Sequence, residues 1–344
     1  MRAARHAGCF PPDHGGWRAA AGGARRGVPG RGPRPQRLRV PFALVPGRPD
    51  RGRPQPDRAV HCQGTGQPHS RRAGGPALKG VELPGAVVAL TGASAGIGRA
   101  AALAFAREGS RLGLAARRLG RLEEVAAEVR ALGADALAME LDVADERAVG
   151  RFVAAVVERF GRLDVIVNNA GSGVRGSVEE TPVEDFRRLM EVNYLGTVHG
   201  CRAALPVMRR QGRGVIINVS SIVGHRALAG GAAYAATKAA QISLTESLRL
   251  ELRGTAIAAC SVHPVSTETE FAEVAARASA GRKGGPVGPM QSADAVARAI
   301  VACARRPRAE VYPYPLARSI VWLNALSPRL VDWLASRAIP TKTG

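Results

Sequence analysis

The feature that most constrains this chain is an alternation that runs from residue 86 to residue 315. Short apolar runs of strand length alternate with longer stretches whose apolar residues recur at helical spacing. The runs are AVVALTG (86–92), RLGLAAR (111–117), DALAMELDV (135–143), LDVIVNNAG (163–171), RGVIINVSS (213–221), TAIAACSVHP (255–264) and AEVYPYP (309–315). The first two helical stretches end at Gly109 and Gly133, the residue type that best closes a helix. Runs this apolar are buried on both faces, and strand–helix–strand repeats build parallel sheets through right-handed crossovers. The alternation therefore predicts an α/β fold, a doubly wound parallel sheet with helices on both faces.

Composition matters chiefly for what it excludes. The net charge of +21 invites a nucleic-acid or membrane reading, but the charge is unevenly placed. Residues 1–80 hold 16 Lys and Arg against three acids (Asp13, Asp50 and Asp57), and 27 of these 80 residues are Gly or Pro. The other 264 residues carry 33 basic and 25 acidic side chains, an ordinary balance. A segment like 1–80 buries too little apolar surface to offset its ordering entropy, so it is expected to be a disordered extension. GGARRGVPGRGPRP within it resembles Arg/Gly-rich RNA-binding segments. A solvated tail and spurious translation of GC-rich sequence are the other readings; the last is preferred, and no nucleic-acid partner is expected. A transit peptide would need more serine than Ser70 alone. The five cysteines are scattered, with no Cys-x-x-Cys pair, and the seven histidines show no ligand spacing. A reducing, cytoplasmic setting without a metal follows as the expectation. No apolar run reaches the roughly 18 residues of a membrane span.

Four motifs carry the chemistry. TGASAGIG (Thr91 to Gly98) links the first run to the first helical stretch. Its glycines Gly92, Gly96 and Gly98 suit a tight turn, a close approach of backbone to a pyrophosphate, and an open helix N-terminus. At the end of the second run Ala115 and Ala116 stand where an acid would hold the ribose of NAD, and Arg117 and Arg118 follow. An arginine there suits the 2′-phosphate of NADP, so NADP is expected and NAD is the lesser choice. Asp142 can receive an adenine amino group or cap the helix that follows. NNAG (Asn168 to Gly171) ends the fourth run, where a ligand crevice should lie. In GGAAYAATKAAQ (230–241), Tyr234 and Lys238 lie one turn apart on one helix face.

TGASAGIG, NNAG, NVSS and YAATK, in this order and spacing, resemble the short-chain dehydrogenase/reductase family, over about Pro84 to Phe271. The resemblance implies a Rossmann-type single catalytic domain over residues 81–315. It also implies hydride transfer between NADP(H) and a small carbonyl or secondary alcohol substrate. Ser221, 13 residues before Tyr234, would hydrogen-bond the substrate oxygen. Tyr234 would be the general acid or base. Lys238 would lower the phenol pKa, as a nearby cation does, and contact the nicotinamide ribose. Asn193 would hold a water linking the lysine to solvent. Cofactor contacts are implied at Gly92, Ser94, Gly96, Ile97, Gly98, Arg117, Asp142, Val143, Asn169, Ala170, Gly171, Tyr234, Lys238, Pro264, Thr267 and Thr269. One departure stands out: HPVSTETEF has Val265 where the family usually has Gly. Thr269 then falls at the family threonine, with Thr267 or Ser266 as alternatives, and His263 is expected to be a strand-end residue.

Residues 272 to about 291 cover the family's variable substrate lid. Homodimers or homotetramers would form through the helices bearing Asn193 and Tyr234. Residues 316–344 form a tail with Trp322, Leu326, Val331 and Trp333 in helical patches split at Pro328. Contact with a membrane surface is one reading of it; packing on the domain or a sister subunit is preferred. A non-catalytic NADP-binding regulatory protein would predict a damaged Ser–Tyr–Lys set, and here the set is intact.

Overall fold

A computed structural model describes residues 80–280 and 288–338 of the protein. The Arg/Gly/Pro-rich segment, with its RNA-binding and transit-peptide readings, lies outside the described residues. The first half comprises β1 (Val87–Thr91), α1 (Gly96–Arg107), β2 (Arg111–Ala116), α2 (Leu119–Ala131), β3 (Ala136–Glu140), α3 (Glu146–Phe160) and β4 (Val165–Asn168). The second half begins with α4 (Val183–Leu189), α5 (Gly196–Gln211), β5 (Arg213–Val219), α6 (Ala232–Glu251) and β6 (Ala256–Val262). It continues through β7 (Ser266–Glu268), α7 (Phe271–Ala278), β8 (Met290–Ser292), α8 (Ala293–Arg305), β9 (Glu310–Val311), α9 (Ala317–Leu326) and α10 (Pro328–Ala338).

Seven strands pair in parallel in the order β3-β2-β1-β4-β5-β6-β9. The apolar runs are unbroken because side chains alternate between two covered faces. One face sends Val88, Leu90, Leu112, Leu114 and Ile217 against Phe105 of α1, Val129 of α2 and Ile300 of α8. The other sends Val87, Ala89, Ile166 and Ile216 against Phe152 and Val156 of α3 and Met208 of α5. The strand order reverses between β1 and β4, which opens a crevice beyond their C-terminal ends.

The structure departs from the sequence reading at several boundaries. The last run pairs only over Glu310–Val311, since Pro313 and Pro315 have no N–H to give a ladder. β3 stops at Glu140 and β4 at Asn168, so Asp142, Val143 and Asn169 to Gly171 sit on loops above the sheet. The long stretch 182–212 is interrupted by a π-helical turn, Met190–Leu195, between α4 and α5. β7 and β8 form a two-stranded parallel ribbon, with Thr267 opposite Gln291, that strands of three residues leave invisible in a hydrophobic pattern. The tail forms α9 and α10, with Pro328 in the first turn of α10, where its missing N–H removes no helical bond. Arg226 ties it down by pairing with Asp332 and donating to Asn324 Oδ1 at 3.4 Å. Val331 is buried, whereas Trp322 and Leu326 are exposed. Among the described residues no helix is long and apolar enough to cross a membrane.

Candidate active site

The glycine turn is built by backbone approaches that only glycine permits. Gly92 and Gly96 have φ of +68° and +52°. A Cβ on Gly98 would fall 2.0 Å from the Gly92 carbonyl oxygen, and one on Gly96 would fall 2.9 Å from Thr269 Cγ2. Ala95 at the N-terminus of α1 supplies no capping side chain, and the first turn holds no acid. The N–H groups near Ser94 to Gly98 and the positive end of the helix dipole are thus left for an anionic ligand. These residues fit the pyrophosphate of a nicotinamide dinucleotide. Ile97, in the first turn of α1, packs against the core below.

Asn169 locks the turn in place. Its Nδ2 donates to the carbonyls of Thr91 (3.0 Å) and Gly92 (3.2 Å), while the N–H groups of Asn169 and Ala170 both reach Thr91 Oγ1 at 3.1 Å. Asn168 instead turns into the sheet and donates to Asn218 Oδ1 at 2.8 Å. Asp145, not Asp142, caps α3 by accepting the Ala148 N–H at 3.0 Å. Among the described residues that leaves the exposed Asp142 carboxylate with only the N–H of Ala144, at 3.0 Å. Buried Val143 packs against Gly196, where a Cβ would come within 2.7 Å of its Cγ2.

The two arginines after β2 separate in role. Arg118 pairs with Glu270 and donates to Ser94 Oγ at 3.3 Å, and Arg121 reaches the same Glu270 at 2.6 Å. Arg117 is exposed and, among the described residues, has no hydrogen-bond or ion-pair partner, so its guanidinium is free to meet an anion. Past Pro264, Thr267 Oγ1 is engaged with Val265 O (2.9 Å) and Gln291 (3.3 Å), and Thr269 lies against the glycine turn.

The four residues expected to be catalytic converge at the C-terminal ends of β4 and β5. Ser220 turns inward, donating to the Lys238 carbonyl at 2.9 Å, which anchors α6. Ser221 donates to the Pro264 carbonyl at 3.3 Å and sits beside the Tyr234 phenol. Tyr234 has its ring 5.5 Å from that of Phe271 at the start of α7. Burial pushes its phenol up, and the Ser221 hydroxyl pulls the other way. Lys238 is buried, with Nζ 5.5 Å from the Tyr234 ring centre, and donates to Val219 O and Gln241 Oε1, each at 2.9 Å. With no anionic partner among the described residues, burial pulls its ammonium down to about 7. Asn193 brackets Ser172, accepting its N–H (2.8 Å) and donating to its carbonyl (2.9 Å), and also donates to Thr237 Oγ1 at 2.9 Å. A Cβ on Gly171 would fall 3.4 Å from Asn193 Oδ1 and 3.8 Å from Lys238 Nζ, so the NNAG end overhangs this group.

The family model for short chain dehydrogenases matches residues 86–279. The chain belongs to that family. Among its relatives, an uncharacterized oxidoreductase of Bacillus subtilis, YxnA, is 35% identical over 265 residues, covering 76% of this chain and 74% of its own. Two solved members are similar. A short-chain dehydrogenase/reductase from Burkholderia phymatum, in complex with NAD, has a TM-score of 0.66 at 27% identity, over 77% of this chain and 99% of its own. An alcohol dehydrogenase from the archaeon Thermococcus sibiricus, complexed with 5-hydroxy-NADP, has a TM-score of 0.58 at 33% identity, over 66% of this chain and 95% of its own. Short-chain dehydrogenases with this fold thus bind nicotinamide dinucleotides of both kinds, and the chain is a member of an oxidoreductase family.

Sequence reasoning missed two groups near the site. Gln241, Thr197 and Thr237 form a buried network around Asn193, drawn from elements more than 40 residues apart. His225, His263 and Glu310 bring possible ligand atoms within 4.8 Å of one another. Tyr312 already serves them by hydrogen bonding: its hydroxyl donates to Glu310 Oε2 at 2.9 Å and lies 3.2 Å from His225 Nε2. With that proton committed to Glu310, His225 must be the donor to Tyr312. His263 is fully buried and stacked on Tyr312, and burial together with His225 pulls its imidazole down to about 3, so it is neutral.

Proposed function

We propose that this protein is an NADP(H)-preferring oxidoreductase that interconverts a small carbonyl compound and its secondary alcohol. The observation that carries the reading is the convergence of Ser221, Tyr234 and Lys238 beside an open glycine cradle. A bound nicotinamide supplies or accepts the hydride. Ser221 and Tyr234 hold the substrate oxygen between two hydroxyls. In reduction Tyr234 gives that oxygen its phenolic proton; in oxidation the phenolate takes it back. The phenolate so formed and the Lys238 ammonium each favour the other's charged form, which offsets the opposing shifts that burial imposes. Phe271 covers the Tyr234 ring and limits water over the reacting atoms.

Arg117, exposed at the end of β2 and without a partner among the described residues, supports the preference for a 2′-phosphate, and the buried Ala115 and Ala116 offer no carboxylate to a free 2′-hydroxyl. Thr269 is the better candidate than Thr267 for the cofactor contact, since it lies on the turn. Exposed Ala236, Ala239 and Ser243 stripe one face of α6, a flat surface suited to a second copy in a homodimer or homotetramer. The test is NADPH and NADH oxidation, side by side, over a panel of aldehydes and ketones. Tyr234→Phe should lower turnover by about 100-fold or more while leaving cofactor binding intact; undiminished turnover in that variant would sink the mechanism.

A further inference from the structure

Tyr234, Lys238 and Gln241 follow one another on one face of α6, four and then three residues apart. Gln241 is fully buried. Its Oε1 accepts from Lys238 Nζ at 2.9 Å, and its Nε2 donates to the Asn193 carbonyl at 2.7 Å and to Thr197 Oγ1 at 2.6 Å. The orientation of this amide is forced. Turned over, it would set NH2 against an ammonium and its oxygen against a carbonyl. The Asn193 carbonyl faces α6 because the chain is π-helical at Met190–Leu195, and Thr197 Oγ1 donates to it as well, at 2.8 Å.

We infer that Gln241 is the positioning residue for Lys238: its side-chain amide joins the lysine ammonium to the Asn193 carbonyl. The resemblance to the family implied that Asn193 would hold a water linking the lysine to solvent; here Gln241 bonds both the ammonium and the Asn193 carbonyl directly. A neutral amide neither gives up nor takes a proton near neutral pH, so this line holds the ammonium and carries no protons. During reduction Tyr234 passes its phenolic proton to the substrate oxygen as the hydride adds to carbon. The groups facing the ammonium are Tyr234 and Gln241 from α6, Val219 O from β5, and Asn193 and Gly171 from the loops above. Of these only Tyr234 titrates, so the charge on Lys238 depends on neutral acceptors such as Gln241.

The inference rests on the proposed reaction, and the experiment separates the two. Gln241→Leu removes the acceptor at nearly constant volume; Gln241→Glu exchanges it for a carboxylate. The Lys238 ammonium is titrated in the free protein by NMR of its ε-carbon, and the alkaline limb of the kcat/KM profile for reduction is measured in parallel. Both midpoints should fall by about one unit in Gln241→Leu and rise by about one unit in Gln241→Glu, the size expected for a hydrogen bond to a charged group. A residue that merely filled space would lower kcat without opposite shifts. Unshifted titrations in either folded variant overturn the inference, and the NMR arm decides it even for a variant without turnover. Absence of turnover by the wild type with these shifts present would instead overturn the proposed reaction and leave the role of Gln241 standing.

Discussion

A buried ammonium without an anion should reveal itself in the pH dependence of stability. Lys238 is 3% exposed, and its acceptors, Val219 O and Gln241 Oε1, are both neutral. Its pKa of about 7 lies well below the usual 10.5 of an exposed lysine. Between those values the unfolded chain binds a proton that the native chain does not. Stability must therefore rise with pH across that window, because deprotonation removes the cost of burying the charge. The full slope is about 1.4 kcal/mol per pH unit, and it is shallower near pH 7, where the native amine is half protonated. From pH 7 to pH 9 the contribution sums to about 2 kcal/mol. Lys238→Met keeps the length of the side chain and removes the charge. Urea denaturation of both proteins at pH 7, 8 and 9, without cofactor, measures the effect provided their m-values agree. Groups that titrate equally in both, such as the buried Cys201 thiol, which burial raises to about 12, cancel in the difference. Wild-type stability minus variant stability should climb by about 2 kcal/mol over that range. A flat difference would mean that Lys238 keeps an ordinary or raised pKa in the fold, and would refute the reasoning.

Three further outcomes follow from the site. Gly98→Ala drives a methyl to within 2.0 Å of the Gly92 carbonyl oxygen and 2.8 Å of Asn169 Nδ2. NADPH affinity, read by fluorescence titration, should fall at least about 100-fold, and wild-type affinity would show that the turn does not carry the cofactor. Arg117→Ala should raise KM for NADPH by about tenfold or more and leave KM for NADH nearly unchanged, the loss expected for one charge-assisted contact; an equal effect on both cofactors would refute the 2′-phosphate assignment. Asp145→Ala removes the cap of α3 and should cost about 1 kcal/mol in urea denaturation without altering KM for cofactor.

The order of strands and helices was legible because each apolar run and each amphipathic stretch is a local pattern, and the glycine turn and the Tyr234–Lys238 spacing are local as well. The sequence separated Ser221 from Ser220 only by counting back from Tyr234; the structure supplies a reason, since Ser220 is spent on anchoring α6 through the Lys238 carbonyl. The sequence offered Asp142 as a cap for α3, and the observed bond from the Ala148 N–H gives that role to Asp145 instead. The β7–β8 ribbon was illegible because three-residue strands show no period.

What the sequence determined by itself is what repeats within one turn or one strand: the α/β alternation, the glycine turn, and a phenol and an amine on one helix face. What the tertiary structure decided is everything that depends on residues far apart in the chain. The π-helical turn aims the Asn193 carbonyl at α6, and Gln241, 48 residues away, meets it and holds Lys238. His225, His263, Glu310 and Tyr312 likewise meet only when three parallel strand ends are brought side by side. A buried polar group must find its partner wherever packing delivers one, and no spacing along the chain records where that is.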